Sequence, residues 1–247
     1  MQRTSIWLLV AVAIVWACLT SDVELAKLAD AGPRLWDFLS RMVPPDLSIW
    51  SDMMRGLAET LRIAILGTLF AVILSAVLGV LASETLVRPS IWRPVRTILA
   101  FIRAIPLILV AMLMVGAVGL GPLPGILAIT FHATGMLAKF YAEAIDNVAS
   151  GPVTALESAG ASGLQKLRYG IWPQMAPVIL RDTVFRFELN LRESLILGIV
   201  GAGGIGLYIQ TYVRSFQYEK AATVTLAVII LVLLSEMING FLKKLVS

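Results

Sequence analysis

The chain has 247 residues, 58% of them hydrophobic and 15% charged, with a mean hydropathy of +0.86; a soluble globular chain carries about a quarter charged residues, so a water-soluble domain is set aside. The net charge of +4 comes without any dense Lys/Arg run or aromatic interleaving, which excludes a nucleic-acid surface. A single cysteine, Cys18, excludes a disulfide framework or a multi-cysteine metal site, and the lone His132 reads as a packed or pore-facing side chain rather than a ligand.

In chain order, residues 6–19 form an apolar stretch behind Arg3, with no small-x-small cleavage site after it, and read as a short membrane anchor. With the following external segment it makes a first region, 1–56. Further apolar runs cover 57–82, 97–116, 123–145, 178–200 and 221–242, each near the ~20 residues a helix needs to cross ~30 Å of hydrocarbon. The expected fold class is all-α: a polytopic membrane protein of about six transmembrane helices, with 57–247 as the transmembrane domain. Residues 20–56 hold four basic against six acidic residues, whereas Arg88, Arg93 and Arg96 lie in the next loop and Lys243 and Lys244 at the far end. The positive-inside rule then puts both termini in the cytoplasm, 147–177 inside and 201–220 outside. The uncharged Pro/Gly segment 116–125 is a tight external connection.

The inside loop opens on Ser150-Gly-Pro152, a helix-start signal, since Ser caps free amides and Pro is tolerated in a first turn. Small residues from Thr154 to Gly163 let another surface approach the backbone, Gly160 marks a bend, and Pro173 is expected to end any helix begun at Leu164. An ordinary amphipathic interface helix is the alternative.

The run 178–200 carries Arg181, Asp182, Arg186, Glu188, Asn190, Arg192 and Glu193 in a stretch that must tolerate lipid. Each uncompensated charge near mid-bilayer costs about 2.5–3.5 kcal/mol on insertion scales. At about 100° per residue, Asp182, Arg186, Asn190 and Glu193 share one stripe, and Arg181, Glu188 and Arg192 a second. Spacings of four suggest ion pairs Asp182–Arg186 and Glu188–Arg192. One reading makes Arg186, Asn190 and Glu193 line a translocation path, with Arg181, Asp182, Glu188 and Arg192 as polar support; the other makes all seven an internal network holding the bundle. Downstream, Gly201, Gly203, Gly204 and Gly206 spell a G-x-G-x-x-G string. A dinucleotide site is rejected because the preceding stretch has helical charge spacing and no βαβ context. The glycines are expected to break the helix, the alternative being an anion-binding concavity of exposed amides.

Two segments carry a family resemblance. Gly160-Ala-Ser-Gly-Leu-Gln-Lys-Leu-Arg-Tyr-Gly-Ile-Trp-Pro173 resembles the EAA loop of ABC-importer permeases, with its glycine and proline thirteen residues apart. The resemblance implies a coupling surface made of Thr154, Ala155, Glu157, Gly160, Ala161, Ser162, Gly163 and Pro173, docking into a cytoplasmic ATPase. Two departures stand out: Thr154 occupies the family's glutamate position, with Glu157 one turn later, and Trp172 replaces a leucine. The stretch Arg186-Phe-Glu-Leu-Asn-Leu-Arg192 followed by Leu197-Gly-Ile-Val-Gly-Ala-Gly-Gly-Ile-Gly206 resembles the C-terminal signature of permeases for phosphonate, phosphite and hypophosphite.

Those resemblances imply a subunit of the bacterial inner membrane that does no covalent chemistry. Its implied partners are two ATP-binding subunits, a second permease copy forming a homodimer, an external solute-binding protein and the lipid bilayer. No cofactor is expected on this chain, ATP and Mg being held by the ATPase, since no Gly-x-x-x-x-Gly-Lys-Ser/Thr loop occurs. Alternatives are a permease for another small solute such as an amino acid, a transporter driven by an ion gradient, or a membrane-embedded enzyme, for which one His and one Cys offer little.

Overall fold

The computed structural model describes residues 2–20 and 25–246, and the side-chain surroundings of 6–20 and 30–240; among the described residues every regular element is helical. Arg3, Lys243 and Lys244 lie outside the described side chains, and residues 21–24 of the acidic stretch lie outside the described residues. Contacts divide the chain into two units, Met1–Pro44 and Pro45–Ser247.

The first unit holds α1 (Gln2–Thr20) and α2 (Leu25–Ser40). Within α1 the described apolar stretch, Ile6–Thr20, is short for a full crossing. Helix α2 lies in what was read as an external segment. Acidic residues of α2 pair with basic residues one turn on, Asp30 with Arg34 at 3.2 Å and Asp37 with Arg41, just past the helix end, at 2.8 Å, while Leu35 and Trp36 stay exposed.

The second unit is built around α3 (Trp50–Leu81) and α6 (Pro122–Asp146), whose mutual packing is the most extensive in the chain. The reason lies in α3. Gly67, Ala71, Ser75 and Gly79 recur every four residues and are all buried, while Ile65, Leu69, Ile73 and Val77, also every four, are exposed. In a bilayer, burying large apolar groups against one another brings no net transfer gain, so helices associate through small residues that let backbones approach. The approach is close: a Cβ on Gly67 would lie 2.6 Å from Ile129 Cγ2, and one on Gly79 2.7 Å from Tyr141 Cβ. Ser75 Oγ crosses the same seam, donating to the Thr134 carbonyl at 3.3 Å.

The single span expected over 97–116 is corrected to two helices, α4 (Pro89–Ala104) and α5 (Leu107–Val118), bent by 87°. Pro106 denies its residue a backbone donor and pushes Ile105 into the extended region (ψ 122°), so the helix cannot run through. The α3–α4 turn is tied to the end of α6: the Asp146 carboxylate accepts from Ser83 Oγ at 2.6 Å, from the Thr85 amide at 3.1 Å and from Arg96 at 2.7 Å. Arg96 also pairs with Glu84 and donates to the Ala82 carbonyl at 2.8 Å.

Beyond α6 come α7 (Ser150–Ser158), α8 (Gly163–Lys166), a π-helical turn (Leu167–Ile171), α9 (Trp172–Leu197), α10 (Ile205–Arg214) and α11 (Tyr218–Val246). By length and composition three spans stand alone, Leu47–Leu81, Pro122–Asp146 and Tyr218–Gly240. Two bent pairs raise the number to five: α4 with α5, and Gly163–Val200 with Ile205–Arg214 at 41°. The chain is thus an all-α, multi-pass membrane protein.

Candidate functional site

The loop between α6 and α9 is built by local chemistry. Helix α7 starts at Ser150 with Ala149 as its cap residue, so Ser150 does not cap as expected. The Ala149 amide is instead satisfied by Gln174 Oε1 from α9, at 3.0 Å. Helix α7 ends at Gly160, in the left-handed region at φ +78°: the Gly160 amide donates to the Glu157 carbonyl and the Ala161 amide to the Leu156 carbonyl, both at 2.9 Å. This is a Schellman ending, which favours glycine because an L side chain is strained there. One residue on, Ser162 caps α8 in a reciprocal box with Gln165, whose Oε1 accepts from the Ser162 amide at 2.8 Å.

Thr154, Ala155, Glu157, Gly160, Ser162 and Gly163 are exposed and Ala161 half-buried, so the stop and restart of the helix present a small-residue knuckle outward. The Lys166 ammonium pairs with Glu157 at 2.8 Å and holds that carboxyl below the usual carboxylate range, mainly through the hydrogen bond and then through its charge. Glu157 is therefore engaged within the loop.

Pro173 does not end the helix as expected. The π-turn lets the Trp172 amide reach the Leu167 carbonyl, placing Pro173 in the first turn of α9, where no donor is required. The buried Gly170 in this turn lies against α7, where a Cβ would sit 3.1 Å from Leu156 Cδ1.

Along α9 the polar residues divide by partner. Arg186, only 2% exposed, points toward α6: its Nη2 donates to Glu193 Oε2 at 2.8 Å and meets His132 Nδ1 at 3.1 Å, and its Nη1 reaches Met136 Sδ at 3.4 Å. The expected Asp182–Arg186 pair is not made. Asp182 pairs with Arg181 at 3.1 Å, because Arg186 turns up the helix to a carboxylate seven residues on. Asn190, fully buried, donates to Thr68 Oγ1 of α3 at 2.8 Å.

The expected Glu188–Arg192 pair is present at 2.7 Å and extends to α11, where Arg192 meets Glu236 and Asn239 meets Glu188. The structure thus brings Arg186, Asn190 and Glu193 into one seam with α3 and α6, and ties Glu188 and Arg192 to α11. Arg181 and Asp182 line a separate polar recess of about 280 Å³ with Glu143, Asn147 and Gln174.

The glycine run ends α9 as expected. A 3-10 turn (Gly198–Val200) follows, then Gly201, Gly203 and Gly204 at φ +82°, +80° and +86°, and α10 begins at Ile205. Two α3 side chains, overlooked in the sequence, hold this break: Glu59 Oε1 accepts from the Gly204 amide at 3.1 Å and Thr60 Oγ1 from the Ile205 amide at 2.8 Å. Gly206 is needed for space, since a Cβ there would run into the Leu195 carbonyl. His132, Thr68, Glu59 and Thr60 carry a faint sequence signal in common: they are polar groups inside apolar runs, which by insertion cost must find partners.

Comparison with known proteins places this architecture. Residues 75–247 match the model of the family described as binding-protein-dependent transport system inner membrane component. The chain is 38% identical over 245 residues to a putative phosphite transport system permease protein of Stutzerimonas stutzeri, covering 98% of this chain and 86% of that one. It is 35% identical over 225 residues to a phosphate-import permease protein of Mycolicibacterium smegmatis, covering 91% and 42%. Among solved structures, an inward-facing form of the MetNI methionine ABC transporter shares the fold with a TM-score of 0.70 at 24% identity, over 82% of this chain and 99% of that one. With a helical membrane bundle, a knuckled loop between α6 and α9 and a family match over most of its length, the chain belongs to the inner-membrane components of binding-protein-dependent transport systems.

Proposed function

We propose that this chain is the permease subunit of an ATP-driven importer that carries a phosphorus oxyanion, of the phosphite and phosphonate type, handed over by an external binding protein. The observation that carries the substrate class is the 38% identity, over nearly the whole chain, to a protein named for phosphite transport. The buried arginine of α9 supports it, because a guanidinium offers paired donors matched to such an oxyanion.

In this reading two copies of the chain form the pathway and two cytoplasmic ATPase subunits, holding ATP and Mg, dock on the surface formed by Thr154, Ala155, Glu157, Gly160, Ala161, Ser162, Gly163 and Pro173. Both termini face the cytoplasm, and Arg186, Asn190 and Glu193 border the route of the anion. Arg181, Asp182, Glu188 and Arg192 keep α9 seated against its neighbours. The glycine break around Gly201–Gly206 lets the outer end of α9 turn sharply into α10.

The test is reconstitution in proteoliposomes with the cognate ATPase and binding protein. ATP-dependent uptake of labelled phosphite is expected, with no turnover by the permease alone and ATP hydrolysis only once the ATPase is added. Uptake that follows an ion gradient without ATP, and survives Gly160→Trp, would overturn the reading.

A further inference from the structure

Arg186 is nearly sealed in the α6–α9 seam, yet its donors are incompletely used. The Nη2 group serves both Glu193 and His132, Nη1 has only the weak Met136 sulfur, and the buried Nε has no partner. A buried donor left without a partner is costly, and more so on a charged group. Nε and Nη2 together form the side edge of the guanidinium, a fork whose spacing suits two oxygens of one oxyanion. Glu193 fills only half of that fork. It is also the more open member of the pair, 26% exposed against 2% for Arg186, so the carboxylate is the member free to swing away.

We propose, resting on the substrate reading above, that Glu193 is an internal stand-in for the transported anion. It holds Nη2 while the chain is empty, and a small tetrahedral phosphorus oxyanion displaces it by taking the Nε–Nη2 fork. The carboxylate then competes with the cargo in every cycle. Competition keeps retention weak enough for release, which a pathway requires as much as capture. His132, at 3.1 Å from the same nitrogen, steadies the guanidinium when the carboxylate swings away.

The experiment uses the complete transporter, purified with its ATPase in detergent without the binding protein, and reads retention of radiolabelled phosphite and the phosphite-dependent shift of the thermal midpoint. Wild type should retain phosphite weakly; Glu193→Gln should retain it at least tenfold better, and show an upward thermal shift with phosphite that neutral glycine does not produce. Glu193→Asp, whose shorter arm draws the carboxylate back, should fall between. Arg186→Lys combined with Glu193→Gln should lose the gain, since an ammonium has no fork. In proteoliposomes, Glu193→Gln should lower the maximal uptake rate while lowering KM. The inference is overturned if both folded Glu193 variants retain phosphite no better than wild type, or if the gain survives Arg186→Lys. If the wild-type transporter with its binding protein imports no phosphite but does import another solute, the substrate reading itself has failed.

Discussion

Replacing Gly160 by alanine isolates one physical quantity. Gly160 sits at φ +78°, and a Cβ added there meets nothing within 4 Å, so the substitution adds no clash within the chain and acts through the backbone alone. Holding an L residue in the left-handed region costs roughly 1–2 kcal/mol, which disfavours the present loop against its alternatives by a factor of about 5–30. The loop's shape depends on that conformation, since the Gly160 and Ala161 amides close α7 and leave Ser162 free to start α8. If the ATPase docks on this knuckle, its affinity for the permease should fall in Gly160→Ala, by at most that factor. Gly160→Asn should lose less, because asparagine visits the left-handed region more readily. Affinity is read by titrating labelled ATPase onto permease in nanodiscs, with the thermal midpoint as a check on the fold. Wild-type affinity in folded Gly160→Ala would show that the left-handed turn does not shape the docking surface, and the coupling assignment would lose its basis.

Other perturbations follow from named contacts. Gly67→Leu should destabilise the detergent-solubilised chain by about 1–3 kcal/mol through overpacking against Ile129, while Gly116→Leu, with open space around it, should leave the thermal midpoint near wild type. Thr60→Val keeps the shape but removes the acceptor of the Ile205 amide; leaving that buried donor bare should cost about 1–3 kcal/mol and speed hydrogen exchange at Ile205. Because Lys166 lowers the Glu157 carboxyl, the link between α7 and α8 is fully present at neutral pH and is lost only as acid titrates the carboxylate through its lowered value. In Lys166→Met an NMR titration should find the Glu157 midpoint moved upward, and an unmoved midpoint would mean the pair does not form.

Membrane class, the helix that starts near Ser150, the bend at Gly160 and the break after Leu197 were legible in the sequence, since each rests on a property a short segment carries by itself. Apolar runs near 20 residues are costly to expose to water, and a positive φ selects glycine whatever surrounds it. The Ile105-Pro106 break and the four-residue spacing of Gly67, Ala71, Ser75 and Gly79 were equally local, but the first hid inside an apolar run and the second inside a hydropathy average. Pro173 misled because its effect depends on whether the preceding turn is α or π, and residue spacing alone does not distinguish the two.

Charge pairing was legible only in part: helical spacing identified Glu188 with Arg192, but not the partner of Arg186. Helical spacing offered Asp182 to Arg186, yet the folded chain gives Arg186 to Glu193 and brings up His132, 54 residues away in sequence, at 3.1 Å. A buried charge in a medium of low dielectric needs partners on every side; Glu193 comes from its own helix, whereas His132 and Met136 come from α6, and the packing of α6 against α9 that brings them is encoded in no single segment.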